Sequence, residues 1–366
     1  MASGFTSKLK RAKRAMLRDI GRQFITCAEF SETTICFPSV FRLIWARPAP
    51  LPGHCMMLPF KIIYHPGYDL NLGPHVFPSQ KYRLIQEALL RDGIAEAEDF
   101  LTPEPASDAD VLRVHSHDWV KKLKTGHLSL QELMRLEIPW SREMVDAVWL
   151  AAGGSILAGQ RAVADGFSAN LAGGLHHAFP EHGEGFCAIH DVAIAIRHLQ
   201  AAGVVRTVMV VDTDVHHGNG TAAIFAEDHE VFTISIHQEN NFPDPKPPSN
   251  IDIHLADGTG DEDYLAILEK KLIQAFDEFR TDLLFYVGGA DPYHEDQLGG
   301  LSLTMEGLKR RDRLVFEHAR RHHVPVASTP AGGYARRTED TVRIHVNTII
   351  AGWEILVRGE SVDRRE

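Results

Sequence analysis

Short apolar runs alternate with amphipathic segments from about residue 60 to residue 357. Apolar runs bounded by polar residues are typical of buried strands in a parallel sheet, and apolar positions at helical spacing predict helices between them. The predicted strands are Phe60–His65, Asn170–Gly174, Val208–Val211, Val231–Ile236, Asp282–Val287 and Val324–Ser328. The main predicted helices are 79–91 (with Ser79 as N-cap), 144–165, 188–202, 262–280, 305–323 and 338–357.

This alternation predicts right-handed crossovers and a sheet covered by helices on both faces. We therefore predict an α/β fold: a single-domain, three-layer α/β/α arrangement with a central, mostly parallel sheet, over residues 57–366. Residues 1–56 differ, with nine Lys or Arg against three acids. We interpret them as a basic, poorly ordered extension or the product of an upstream start codon, with organellar targeting as the alternative.

Composition narrows the class of protein. The chain has 366 residues, an apolar fraction of 44% and a net charge of −11, which argues against a nucleic-acid binder that relies on overall basicity. It has four cysteines, too few for a disulfide framework, and no apolar run long enough for a transmembrane helix. We expect a cytoplasmic protein, and the oligomeric state is left open.

The stretch 206–220, RTVMVVDTDVHHGNG, places acidic and imidazole groups where a buried strand ends. Such groups are costly to bury without a partner, and a divalent metal is the simplest one. On extended backbone, Asp212, Asp214 and His216 point to one side. Asp291 follows another apolar run, and with Asp214 and His216 it completes a three-ligand set of the catalytic zinc type. Zinc and iron(II) both suit these ligands.

Two further groups follow strand ends that parallel topology places at the same edge of the sheet. A turn at the adjacent histidines His176 and His177 would present both to one cavity, where imidazole can move a proton near neutral pH. Asp212 and Asn219 are their nearest candidate partners. The phenol of Tyr334 would donate a hydrogen bond to an oxyanion. Each group alone is also compatible with a solvated or packing role. Gly185 and Phe186 could form an apolar wall for a substrate chain, but they are equally compatible with simple packing.

These segments resemble the histone deacetylase family, and most closely its class IV branch. The matching stretches are GGLHHAFPEHGEGFCAIHDVAIAI, VVDTDVHHGNGTAAIF, TISIH, DGTGDEDYL, VGGADPYHEDQLGGLSLT and AGGYARRT. The resemblance covers about residues 60–355. It implies the arginase/deacetylase fold and metal-dependent hydrolysis of an N-acyl-lysine or a similar amide.

By the same resemblance, each candidate residue acquires a role. Asp214, His216 and Asp291 would bind zinc. His177 would be the general base and acid, His176 its electrostatic companion, Asp212 the partner of His176, and Tyr334 the transition-state tyrosine. Gly185 and Phe186 would line the acyl tunnel. The residues of an implied structural potassium site are Asp212, Asp214, His216, Ser235 and Ile236.

Asn219 stands where class I relatives have a second aspartate. A neutral amide stabilises an imidazolium less than a carboxylate does, so we predict a lower pKa for His177 than an aspartate would give. Class IV relatives remove long fatty acyl groups, so acetyl need not be the preferred chain.

The leading hypothesis is a deacylase of protein lysine side chains, acting on acetyl or long acyl chains. A deacetylase of small molecules such as acetylpolyamines is the alternative, because an acidic surface suits cationic substrates. A two-metal ureohydrolase is disfavoured by His217 and Asn219. A non-catalytic acyl-lysine-binding protein is disfavoured because every expected residue, Tyr334 included, is present.

Overall fold

Eight parallel strands form one sheet in the computed structural model, which describes residues 57–359. The order across the sheet is β2-β1-β3-β8-β7-β4-β5-β6, and every neighbouring pair in the described chain is parallel. The strands are β1 Lys61–Ile63, β2 Phe100–Leu101, β3 Phe167–Asn170, β4 Val208–Asp212, β5 Val231–Gln238, β6 Ile251–Leu255, β7 Leu283–Gly288 and β8 Val326–Pro330. The prediction of a mostly parallel sheet is confirmed. The predicted extension 1–56 lies outside the described residues.

Helices separate most of the strands, as the amphipathic segments predict. They are α1 Lys81–Arg91, α2 Asp108–Val111, α3 His117–Thr125, α4 Leu130–Leu136, α5 Arg142–Asp165, α6 Asp191–Ala201, α7 Asn219–Phe225, α8 Asp261–Glu278, α9 Met305–Arg321 and α10 Thr338–Gly352. A π-helical turn, Trp353–Val357, follows α10. No helix among residues 57–359 is both long enough and apolar enough to cross a membrane.

Two hydrophobic cores lie on the two faces of the sheet. Strand side chains alternate between faces, and in β4 Val208 and Val210 enter one core while Met209 and Val211 enter the other. The first core also contains most of α5 and α6, and the second contains the buried faces of α8 and α9. The predicted three-layer arrangement is therefore confirmed.

Several predicted boundaries were wrong. Helix α1 begins at Lys81 with Gln80 as its N-cap, and Ser79 does not cap it because its hydroxyl is bonded to Asp69. The strand predicted at 170–174 lies earlier, at 167–170, because Gly173 and Gly174 have positive φ and turn the chain. Strands β2 and β6 were not predicted.

Strand β4 lies between β7 and β5. The candidate residues follow the carboxyl ends of these strands. In register, Asp212 is level with Val287 of β7 and with Ser235 of β5. Gly288, the last residue of β7, is level with Pro330, the last of β8. The loops that carry the candidate residues therefore leave the sheet side by side, which is where ligands bind in open α/β sheets.

Candidate metal centre and active site

Asp214, His216 and Asp291 converge at the carboxyl ends of β4 and β7. The ligand atoms of the three side chains lie within 4.8 Å of one another, and all three residues are buried. Nδ1 of His216 is 2.9 Å from Oδ1 of Asp214 and 3.2 Å from Oδ2 of Asp291. The chain leaves strand geometry after Asp212, so local hydrogen bonds position these groups instead of the period-two alternation. Asp212 does not belong to this group, because it bonds to His176.

Backbone amides donate hydrogen bonds to the two carboxylates, but one carboxylate oxygen accepts no hydrogen bond. Oδ1 of Asp291 accepts from the amide of Val215, and Oδ2 of Asp214 accepts from the amide of Gly332. Oδ2 of Asp291 is buried without a hydrogen bond. A Cβ on Gly332 would lie 1.9 Å from that oxygen, so only glycine allows this approach.

The electrostatics of this group call for a cation. Burial, and then the neighbouring carboxylate of Asp214, raise the pKa of Asp291 to about 7. Two like charges in a buried site cannot both ionise cheaply without an opposite charge. Burial acts to lower the pKa of His216, but Asp214 and Asp291 outweigh it and raise that pKa to about 10, so either the imidazolium or a bound cation supplies that charge. One imidazole and two carboxylates, with one carboxylate oxygen that accepts no hydrogen bond, fit a divalent metal of the zinc or iron(II) type.

The two adjacent histidines lie beside this group, each with a separate partner. Nδ1 of His176 is 2.6 Å from Oδ2 of Asp212, and Nδ1 of His177 is 2.7 Å from Oδ1 of Asn219. The ring centroids of His176 and His177 are 4.0 Å apart. The chain turns at Gly173 and Gly174, which both have positive φ, and the two imidazole rings that follow lie in contact.

The environment separates the pKa values of the two histidines. Burial acts to lower the pKa of His176, but Asp212 and Asp214 outweigh it and raise that pKa to about 9. Burial, together with His176 and His216, lowers the pKa of His177 well below its ordinary value. At neutral pH, His176 is therefore cationic and His177 neutral.

Glu184 orients Asn219 from behind. Nδ2 of Asn219 donates to Oε1 of Glu184 at 2.5 Å. The amide nitrogen is thereby committed to Glu184, and Oδ1 of Asn219 is left to accept from Nδ1–H of His177. This tautomer leaves Nε2 of His177 without a proton, as a general base requires.

Tyr334 completes the cluster from the loop after β8. Its ring centroid lies 6.3 Å from that of His216. Its amide donates to Oδ2 of Asp296 at 2.7 Å, and its carbonyl accepts from the side chain of Gln297 at 2.8 Å. Burial, and then the charges of Asp214 and Asp291, raise the pKa of the phenol well above its ordinary value, so it remains a proton donor.

Gly185 and Phe186 adopt left-handed backbone conformations, with φ of 54° and 69°. Their amides donate to carbonyl oxygens at the end of α4, those of Arg135 and Leu136. A Cβ on Gly185 would lie 2.8 Å from both His177 and Phe242. The ring of Phe186 lies 6.0 Å from that of Tyr334.

Aromatic rings flank both sides of the polar cluster. Phe242 lies 4.9 Å from His177 between ring centroids, and its side is open, with 40% of the residue exposed. Phe77 packs against both Phe186 and Tyr334. Phe77 and Phe186 thus place apolar surface against Tyr334, and Phe242 places it against His177.

The residues predicted for potassium lie next to the metal group. Ser235 is level with Asp212 across the β4–β5 pair, and its hydroxyl is near the amide of Gly218 at 3.5 Å. The side chain of Ile236 points into the second core. Ser235 therefore lies beside the loop that carries Asp214 and His216, whereas the side chain of Ile236 belongs to the core.

Four residues of this site were not found from the sequence. They are Lys81, Glu184, Phe242 and Asp296. Lys81 is fully buried, and its ammonium donates to the carbonyl oxygen of Ala331 at 2.5 Å. A lysine in an amphipathic helix and an aromatic residue in a Pro-rich loop are usually solvent-facing or packing residues, so neither carried a signal. Glu184 was visible only as part of the loop PEHGEGF.

Comparison with known proteins gives one family. Residues 75–349 match the model of the histone deacetylase domain. The chain is 41% identical to an uncharacterized protein of Picosynechococcus, over 78% of this chain and 96% of that protein. It is 29% identical to histone deacetylase 2 of Arabidopsis thaliana, over 75% of this chain and 74% of the relative. The crystal structure of a deacetylase homologue from Aquifex aeolicus superposes with a TM-score of 0.68 at 23% identity, over 82% of this chain and 84% of that one.

Proposed function

The chain belongs to the histone deacetylase family, whose members hydrolyse amide bonds, and from that premise we propose that it is a zinc-dependent deacylase of lysine side chains. The observation that carries the proposal is the buried group of Asp214, His216 and Asp291 beside the His176–His177 pair. A metal-ligand set beside a poised proton carrier is what amide hydrolysis by activated water needs.

Asp214, His216 and Asp291 would hold the metal. Two carboxylates and one imidazole leave coordination positions open, as catalytic zinc sites do. Zinc, when bound, supplies a Lewis acid that acidifies water and polarises the amide carbonyl. Iron(II) is compatible with the same ligands. The backbone amides of Val215 and Gly332 would keep the carboxylates oriented toward the ion.

His177 would move the proton. Its low pKa keeps it neutral, and Asn219 holds the tautomer that leaves Nε2 free. His177 would accept a proton from the attacking water and return it to the departing lysine amine. His176, cationic beside Asp212, would stabilise the negative charge that develops on the reacting carbonyl.

Tyr334 would donate a hydrogen bond to the developing oxyanion. Its backbone is fixed by Asp296 and Gln297, so the phenol is positioned before the substrate binds. Removing one such donor lowers kcat by about 10²- to 10³-fold in comparable sites.

Gly185 and Phe186, together with Phe242, would line the passage for the acyl-lysine chain. The class IV resemblance leaves long fatty acyl groups as candidates beside acetyl. Acetylpolyamines are the second candidate substrates, because the net charge of −11 favours cationic molecules. A structural potassium ion held near Asp212, Asp214, His216, Ser235 and Ile236 is part of the same proposal.

The substrate is decided by matched turnover measurements on the zinc-loaded protein. Acetyl-lysine peptide, myristoyl-lysine peptide and an N-acetylated polyamine are compared, with Tyr334→Phe measured in parallel. Lysine-peptide turnover that falls about 10²-fold or more in the variant supports the proposal. Turnover of the polyamine alone would replace the lysine substrate with the small-molecule one, and no turnover of any of the three would contradict the proposed activity.

A further inference from the structure

A second group of metal-type side chains lies outside the candidate active site. It consists of His217, His237 and Asp252, whose ligand atoms lie within 4.8 Å of one another. It shares no residue with the group of Asp214, His216 and Asp291. The proposed deacylase chemistry makes no use of it.

The sheet itself assembles this second group. His237 lies on β5, and Asp252 lies on the edge strand β6, where Ser235 pairs with Asp252 and His237 pairs with His254. The alternate residues of β6, among them Ile251 and Ile253, point into the second core. The opposite face of this corner of the sheet therefore carries imidazole and carboxylate groups.

His217 covers this polar face from the loop after β4. Its Nε2 is 3.1 Å from Oδ1 of Asp252, while its Nδ1 is buried without any hydrogen-bond partner. The rings of His217 and His237 are 4.6 Å apart between centroids and nearly perpendicular, at 83°. Both histidines are buried. The two ring nitrogens of His237 contact Ser235 and His254, whereas Nδ1 of His217 has no partner, and an unpaired buried nitrogen is costly.

The group also has a route to solvent. The side chain of Asp252 is 17% exposed, and its second oxygen is oriented by the amide of Ser249. His254 lies on the outer side with Nδ1 2.8 Å from Nε2 of His237. An ion could enter from that side, with His254 or a water molecule available as a further ligand.

We propose that His217, His237 and Asp252 form a second, structural site for a divalent transition metal of the zinc type. Two imidazole nitrogens and one carboxylate oxygen are ligands that zinc and its neighbours prefer over magnesium or calcium. Ligands lie about 2.0–2.2 Å from such an ion, so small side-chain rotations close the site. The ion would tie β5 and β6 to the loop that carries His216.

The test measures the number of zinc ions bound per chain in a variant that lacks the carboxylates of the first metal group. The variant Asp214→Asn with Asp291→Asn is stripped with a chelator, reloaded with zinc at buffered concentration, desalted and measured by mass spectrometry. We expect one zinc per chain. Adding Asp252→Asn should remove this ion, whereas the matched control Asp257→Asn, which removes a carboxylate bonded to Gln238 outside the group, should keep it.

X-ray absorption on the same zinc-loaded variant supplies a readout that does not depend on Asp252→Asn folding. The proposal predicts at least two imidazole ligands per ion, whereas the first group offers one. A folded chain that binds no zinc, or an ion with fewer than two imidazoles, would overturn the proposal, as would an ion retained in folded Asp252→Asn. Because activity is not measured, this result is independent of the proposed deacylase function.

Discussion

At the scale of single residues, one hydrogen-bonded chain controls the proposed proton carrier. It runs from His177 through Asn219 to Glu184. The sequence analysis singled out Asn219 because class I relatives have an aspartate at this position. In the structure a carboxylate is still present, that of Glu184, but it contacts Asn219 and not His177. The negative charge is therefore kept near His177 but separated from it by a neutral amide.

The variant Asn219→Asp would bring a carboxylate into direct contact with Nδ1 of His177. A contacting negative charge favours the imidazolium, so the pKa of His177 should rise. His177 acts as a base only when neutral, so the acidic limb of kcat/KM should shift to higher pH. A pH–rate profile measures this shift, and an acidic limb at equal or lower pH in the variant would contradict the prediction.

The variant Glu184→Gln tests the orientation of Asn219. The glutamate can only accept from Nδ2 of Asn219, whereas a glutamine can also donate and would allow the amide to flip. We expect kcat to fall about tenfold, a part of the roughly 10²- to 10⁴-fold contribution of general acid–base catalysis, with KM little changed. Glu181→Gln, at an exposed position of the same loop, is the control. Equal kcat values for the two variants would show that Glu184 does not position Asn219.

At the scale of secondary-structure elements, the sequence predicted the strands that are buried on both faces. Strand β4 and the strands β5, β7 and β8 were found because both of their faces are buried, which produces continuous apolar runs. The convergence of Asp214, His216 and Asp291 was predicted from parallel topology together with strand alternation, although the alternation ends at Asp212. Strand β2 has two residues, too few for any periodicity, and β6 carries Asp252 and His254 on its outer face.

The parts that could not be predicted depend on contacts distant in sequence. Phe242 approaches His177 through a loop whose path no local pattern specifies. Lys81 can be buried because its ammonium donates a hydrogen bond to the carbonyl oxygen of Ala331, 250 residues away. Ser79 fails to cap α1 because Asp69 competes for its hydroxyl.

The turn at Gly185 and Phe186 can be tested by a substitution. Gly185→Ala introduces a side chain at φ of 54° and a Cβ 2.8 Å from His177 and Phe242. We expect a loss of about 1–2 kcal/mol in the free energy of unfolding from the left-handed backbone, and a loss of kcat from the displaced ring of His177.

The control for this variant is Gly203→Ala. Gly203 has a similar φ of 67°, and a Cβ at this position would have nothing within 4 Å, so the variant should share the stability loss and retain kcat. Chemical denaturation and steady-state kinetics on both variants separate the two effects. Full activity of Gly185→Ala would show that the close approach to His177 has no functional consequence.

At the scale of the whole molecule, two cores on opposite faces hold one sheet edge rigid. The loops after β3, β4, β7 and β8 leave that edge together, and each carries part of the candidate site. Rigid strands beneath the loops keep the buried carboxylates and imidazoles in place before any metal or substrate binds. The proposed activity therefore depends on the fold as a whole, although each residue taken alone is compatible with a packing role.

The measurement that tests the central claim most directly is metal-dependent turnover of an acyl-lysine peptide. The protein is stripped with a chelator, reloaded with stoichiometric zinc, and compared with Asp291→Asn, with Asp257→Asn as the control. We predict no turnover without metal, recovery on zinc addition for the unaltered chain and the control, and no recovery for Asp291→Asn. Turnover by the stripped protein, or full recovery in Asp291→Asn, would contradict a metal-dependent deacylase built on Asp214, His216 and Asp291.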